Sequence, residues 1–168
     1  MNYSSYLGDD SFVIFLLHGV IQQSDYRIRN YTRKHIEVEY FDEVLSSLTS
    51  RGIGISLDHY LDFLSGERDM PNRSFAVTFD DGFENNLTVA APILERHGIP
   101  ASFYVTSGFV EKNGMSWIDQ IELCLERFSP RQLIMPWREE PYEMSDFESE
   151  KQFLDDVRKQ VKGDKRLV

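Results

Sequence analysis

The 168 residues are 41% hydrophobic and 13% aromatic, enough for one domain with its own core. A formal net charge of −10 and a pI near 4.8 leave little basic surface, which argues against nucleic acids, polyanions and anionic membranes as partners. A single cysteine, Cys124, excludes an intramolecular disulfide.

The first ten residues carry Asp9 and Asp10 and no basic segment. The first apolar run, Phe12–Leu17, is too short for a signal sequence or a membrane span, so a cytoplasmic location is expected. That run is rich in strand formers, precedes His18-Gly19 and reads as a buried parallel strand. Residues 20–35 are polar, aromatic and irregular and read as a loop. Phe41, Val44, Leu45 and Leu48 then recur at helical spacing, with Gly52 where a C-terminal cap belongs. Residues 53–56 read as a short strand, and Asp58 as the cap of a helix running to Leu64. The next strand is 75–79. Residues 86–97 read as a helix closed by Gly98 and kinked or restarted at Pro92. Residues 101–105 form another short apolar strand.

Residues 116–128 read as an amphipathic helix whose inner face carries Trp117, Ile121, Leu125 and Phe128 and places Cys124 in the core. Residues 133–144, punctuated by Pro136 and Pro141, read as a hairpin or loop pair. Residues 146–161 form a charged helix with Phe147, Phe153, Leu154, Val157 and Val161 at its apolar positions. There is no internal repeat. Strands alternating with helices predict a parallel α/β fold. About four parallel strands are visible, against about eight in a closed barrel. The stretch after Gly108 reads as an excursion, and the chain reaches Lys165-Arg166-Leu167-Val168 without a further strand.

The chemistry concentrates in Ser74-Phe75-Ala76-Val77-Thr78-Phe79-Asp80-Asp81-Gly82. An apolar strand ends in two adjacent carboxylates and a glycine, at the carboxyl end where α/β proteins build their sites. Adjacent acids repel, so a fold that holds them together has a metal or a proton-transfer task for them. One carboxylate can bind a divalent metal while the other accepts a proton from bound water. The competing reading is a polar strand-to-loop turn, for which Asp-Asp-Gly is good chemistry. His18, at the end of the first strand, faces the same pocket as Asp80 in this scheme. His97, beside Gly98, reads as a helix C-terminal residue favoured by the dipole, and His35 and His59 as surface or capping positions.

Thr78-Phe79-Asp80-Asp81-Gly82 resembles the first signature motif of the polysaccharide deacetylase family, the carbohydrate esterases of the NodB-homology type. Residues 90–105, with Pro92, Leu94, Gly98 and the run Ile99-Pro100-Ala101-Ser102-Phe103, are similar to the family's following helix and strand. Phe15-Leu16-Leu17-His18-Gly19-Val20 is similar to its opening strand. Ser116-Trp117-Ile118-Asp119 resembles a segment of a subgroup with a long insertion. The resemblance covers roughly 12–128, leaves 129–168 as an insertion-like segment, and makes 1–168 a single, incomplete domain.

It implies a partial, distorted (β/α) barrel with a helical and hairpin excursion after the fourth strand. It also implies a divalent-metal hydrolase, usually a zinc enzyme, that removes acetyl groups from N-acetylated sugars. Asp80 would be the general base, Asp81 a metal ligand and His18 a substrate-binding residue. The family's two other ligands come from a downstream His-(Ser/Thr)-x-x-His motif, and no histidine follows His97 here. Arg138-Glu139-Glu140-Pro141-Tyr142 superficially matches the family's arginine-proline motif, but at the wrong spacing.

The resemblance therefore implies the N-terminal half of a deacetylase acting on an acetylated carbohydrate. The half would be idle alone, and a homodimer could cover its open sheet edge. The rival expectations are an inactive half-domain with a binding or regulatory role and a related amidase on a non-sugar substrate.

Overall fold

Strand β1 (Phe12–Leu17) forms where the first apolar run predicts it, and β2 (Gly19–Ile21) follows after His18 alone. The computed structural model describes residues 3–22, 25–112 and 114–163, so the terminal Lys165-Arg166-Leu167-Val168 lies outside the described residues. Next come β3 (His35–Glu37), α1 (Val38–Thr49), β4 (Ile53–Gly54), α2 (Leu57–Leu64), β5 (Ser74–Phe79), α3 (Ala91–Arg96), β6 (Ala101–Phe103) and α4 (Ser107–Lys112). The chain then forms α5 (Trp117–Phe128), β7 (Gln132–Leu133), β8 (Tyr142–Glu143) and α6 (Phe147–Gly163). These elements fall into two compact units, Met1–Ser24 with Lys34–Val110, and Asp25–Arg33 with Glu111–Val168.

The first unit is built on β5, whose six residues are all buried. A strand covered on both faces reads as a continuous apolar run, as this one does. β1 pairs parallel along one edge, from Phe12↔Ser74 to Leu17↔Phe79. The other edge is shared, β4 meeting Ser74 and Phe75 and β6 meeting Val77 to Phe79, both parallel. Side chains alternate across the sheet. Val13, Phe15, Leu17, Phe75, Val77 and Phe79 therefore join Phe41, Leu45 and Leu48 of α1 and Ile93 and Leu94 of α3 in one core. On the opposite face Ala76 and Thr78 are buried, while Ile14 and Leu16 are 48% and 56% exposed.

Two local expectations are corrected and a third is refined. The loop expected over 20–35 contains strand structure at both ends, because β2 and β3 pair parallel through Gly19↔His35, Val20↔Ile36 and Ile21↔Glu37. A three-residue strand shows no readable period, so pairing rather than pattern creates it. The cap of α2 is Ser56, whose hydroxyl accepts the His59 N–H at 3.1 Å, and Asp58 lies in the first helical turn instead. The helix around Pro92 runs through a π-turn over Asn86–Ala90 before α3 begins. Pro92 then occupies the first turn of α3, where its missing N–H leaves no bond unmade, so the restart at Pro92 is as predicted.

In the second unit, Ile28, Ile118, Leu125, Tyr142, Met144, Phe153, Leu154 and Val157 form a separate core. β7 and β8 pair antiparallel, making the expected hairpin. The inner face of α5 differs from the expectation. Its buried residues are Ile118, Glu122 and Leu125, whereas Cys124 is exposed and Phe128 is 76% exposed. A buried glutamate on the inner face disguised it. Glu122 is held there by the Asn30 N–H at 3.0 Å and by Arg158 at 3.1 Å.

Candidate active site

The acids stand at the carboxyl end of the central strand. The Asp80 N–H donates to the Leu17 carbonyl at 3.0 Å, and the Tyr104 N–H donates to the Phe79 carbonyl at 2.8 Å. These bonds extend the parallel ladders by one step beyond β1, β5 and β6. His18, Asp80 and Tyr104 thus become register neighbours at the ends of three adjacent strands, continuing the row Leu16, Thr78 and Ser102. Phe103 stacks on Phe79 at 5.1 Å between ring centroids. That contact assigns Phe103 to the helix-facing side and leaves Tyr104, 53% exposed, on the side of Asp80.

The chain turns immediately after Asp80. Asp81 and Gly82 both adopt left-handed backbone, each with φ of 71°. Aspartate tolerates this conformation better than most residues, and glycine adopts it without a steric penalty. At Gly82 a Cβ would also come within 2.8 Å of Val105 Cγ1. Within this left-handed turn Asp81 meets Lys34. The Lys34 Nζ lies 3.0 Å from Asp81 Oδ2 and 4.3 Å from the centre of the Phe83 ring. Both side chains are partly buried, at 22% and 34% exposure, so the pair is less screened than a surface ion pair.

A second polar group lies alongside. Asn85 Nδ2 and His35 Nδ1 are 2.9 Å apart, and the His35 ring stands edge-on to Phe83 at 4.6 Å. A Cβ on Gly19 would collide with both His35 Nδ1 and Asn85 Oδ1. Glycine at this position therefore lets imidazole and amide close on the backbone at the end of β1. Asn86 is 3% exposed, and neither its amide nitrogen nor its amide oxygen has a hydrogen-bond partner among the described residues.

His59 and His97 serve the fold. The His59 ring meets the Asp69 carbonyl at 3.1 Å. His97 caps α3 and lies 2.6 Å from Asp42 of α1, which Arg96 also reaches at 2.8 Å. Hydrogen bonds from His97 and then Arg96 hold the Asp42 carboxyl below its ordinary pKa. His35, expected at the surface or at a cap, is instead a half-buried strand residue in the cluster beside the acids.

A catalytic zinc takes three protein ligands and an open position. Among the described residues no group of three or more histidine, cysteine, aspartate or glutamate side chains converges to hold a metal. The Asp81 oxygen that such an ion would need already faces an ammonium. The donor set among the described residues therefore does not fit a catalytic divalent metal.

A family profile described as polysaccharide deacetylase matches residues 67–150, half of the chain and the half that contains Asp80, Asp81 and Gly82. The chain belongs to the polysaccharide deacetylase family. Solved structures of similar fold include IcaB from Ammonifex degensii, at 26% identity and a TM-score of 0.52, covering 67% of this chain and 43% of that one. The Streptococcus pyogenes deacetylase PplD, in complex with acetate, matches at 20% identity and a TM-score of 0.53 over 69% of this chain and 51% of that one. A de-N-acetylase from Aggregatibacter actinomycetemcomitans matches at 16% identity and a TM-score of 0.54 over 87% of this chain and 51% of that one. No curated protein matches significantly. This polysaccharide deacetylase segment thus spans about half the length of the solved structures it resembles. Among its described residues no helix is long and apolar enough to cross a membrane.

Sequence reasoning missed Lys34, His35, Phe83 and Asn85 as neighbours of the acids. Phe83 and Asn85 lie close after Gly82 and were within reach of a motif reading. Lys34 and His35 lie more than forty residues upstream, and only the β2–β3 pairing brings them in.

Proposed function

We propose that the domain to which this segment belongs hydrolyses the acetamide of N-acetylated sugars, with Asp80 as its general base. The observation that carries this reading is the family match over residues 67–150, together with Asp80 at the carboxyl end of the central strand. In the proposed step, the Asp80 carboxylate takes a proton from a water molecule as its oxygen adds to the acetyl carbonyl. The tetrahedral intermediate then collapses with cleavage of the C–N bond. Acetate is released, and the amine leaves with a proton. His18 and Tyr104, the register neighbours of Asp80, would line the sugar side of the site. In a longer domain Asp81 would be one of several ligands to a divalent metal, probed by removal with a chelator. The step assigned to this chain's own residues is the proton transfer at Asp80.

The test is release of free amine from N-acetylglucosamine oligomers by a protein spanning the whole family domain. Asp80→Asn should lower turnover by a factor of about a hundred or more, the usual weight of a general base. Turnover at the parent rate would refute the assignment.

A second reading has an observation of its own. The Lys34–Asp81 ion pair favours a half-domain that binds acetylated sugar without turning it over. Binding of the oligomer to the 168-residue chain in the presence of chelator, with no amine released, would select this reading.

A further inference from the structure

We infer that Tyr104 is the residue on which the sugar ring of the substrate stacks, and that it biases this site toward acetamides carried on a pyranose ring. This deepens the reading of Asp80 as the base of an acetyl-sugar hydrolase and rests on it. Asp80 and Tyr104 are register neighbours on adjacent parallel strands and share one face of the sheet. Neighbouring strands lie about 4.8 Å apart, so the two side chains rise from the sheet side by side. The Tyr104 side chain is 53% exposed. Among the described residues its hydroxyl makes no hydrogen bond and its ring meets no other ring or cation.

The backbone that carries this ring is fixed. The Tyr104 N–H donates to the Phe79 carbonyl at 2.8 Å. Phe103, before it, lies nearly parallel to Phe79, with the rings 5.1 Å apart and inclined by 19°. Val105, after it, lies against Gly82, where a Cβ would come within 2.8 Å of its Cγ1. An unengaged aromatic ring on a fixed backbone is a preorganised contact surface, because a tyrosine has few rotamers to lose on binding. In the row of His18, Asp80 and Tyr104, only Tyr104 offers a large apolar face.

A pyranose ring presents C–H groups on its faces, and the electron-rich face of a phenol ring attracts their positive edges. In an N-acetylated sugar this ring begins two bonds from the acetyl carbonyl carbon. With that carbon held at Asp80, the sugar ring falls about one strand spacing away, where Tyr104 stands. Aromatic contacts of this kind change a binding equilibrium by roughly three- to tenfold.

The test uses the 168-residue chain and the N-acetylglucosamine trimer, followed by NMR. The Tyr104 ring signals should move on titration, and the sugar C–H signals should move upfield in the ring current. Tyr104→Phe keeps the ring and should bind within about twofold of the parent. Tyr104→Ala and Tyr104→Leu should bind roughly three- to tenfold more weakly. Leucine keeps the apolar bulk, so it guards against a folding defect in the alanine variant. N-acetylglucosaminitol carries the same acetamide on an opened ring, and it should not distinguish Tyr104→Leu from the parent.

Equal trimer binding by Tyr104→Leu and the parent would overturn the inference. So would Tyr104 signals that stay still on titration, an absence of trimer binding, or an equal loss with the opened sugar. A urea midpoint that falls in both Tyr104→Ala and Tyr104→Leu would assign the ring to packing instead. Failure of the Asp80 assignment is seen elsewhere, in a family-length Asp80→Asn protein that still releases amine at the parent rate.

Discussion

Gly82 and Gly19 show how single residues shape the neighbourhood of Asp80. At Gly82 an alanine would face both a left-handed backbone and Val105 at 2.8 Å. Gly82→Ala is expected to lower unfolding free energy by about 1–3 kcal/mol in urea titrations, since strain and overpacking act together. At Gly19 the backbone is not left-handed, and the obstruction is the His35 ring and the Asn85 amide. Gly19→Ala should therefore separate His35 from Asn85. The expected outcome is a changed His35 imidazole NMR shift, with a loss of about 1–3 kcal/mol from overpacking.

At the scale of elements, the second unit depends on a polar clamp between α5 and the segment Asp25–Arg33. The Glu126 carboxylate accepts the backbone N–H groups of Arg27, Ile28 and Arg29 at 2.9, 2.8 and 3.1 Å. Arg27 also pairs with the buried Glu150 and reaches the Leu125 carbonyl. Burial pushes the Glu126 pKa up, but the three N–H donors and Arg27 outweigh it and leave the carboxyl below its ordinary value of 4.5. A depressed folded pKa means that the ionised form is favoured by folding. The contribution is therefore complete above about pH 4.5 and is lost as pH falls through the depressed value. Glu126→Gln should lower stability by about 1–2 kcal/mol near neutral pH, and the gap from the parent should narrow on acidification. Urea titrations across that range check both statements. Glu122 behaves oppositely, because desolvation raises its pKa against the pull of Asn30 and Arg158. Its ionised form is disfavoured by folding, so it opposes stability as pH rises through the raised value.

Across the whole molecule the two faces of the main sheet differ. Phe79 is fully buried under α1, with Phe41 edge-on at 6.0 Å, while Leu16 on the opposite face is 56% exposed. Phe79→Ala should destabilise the chain by about 3–5 kcal/mol, and Leu16→Ser by no more than roughly 0.5 kcal/mol, as measured by thermal or urea unfolding. A domain that covers this face would reverse the second expectation, and proteins spanning the family's full length provide that comparison. Continuous apolar runs made β1 and β5 legible; β5 is buried on both faces and needs no polar alternation, while β1 keeps apolar Ile14 and Leu16 on an exposed face. Asp80, Asp81 and Gly82 were legible because chemistry at a strand's carboxyl end compresses into a short local motif. The strands β2 and β3 were illegible at three residues each, and the inner face of α5 was hidden by a glutamate whose partners lie on Asn30 and Arg158. The sequence by itself determined the parallel α/β class, the acid pair and the family, since these reside in local patterns. Only the tertiary structure decided that Lys34 faces Asp81, that His35 joins Asn85 and that Tyr104 rather than Phe103 flanks Asp80. Those outcomes depend on strand register and on pairing between segments distant in sequence, which no local pattern records.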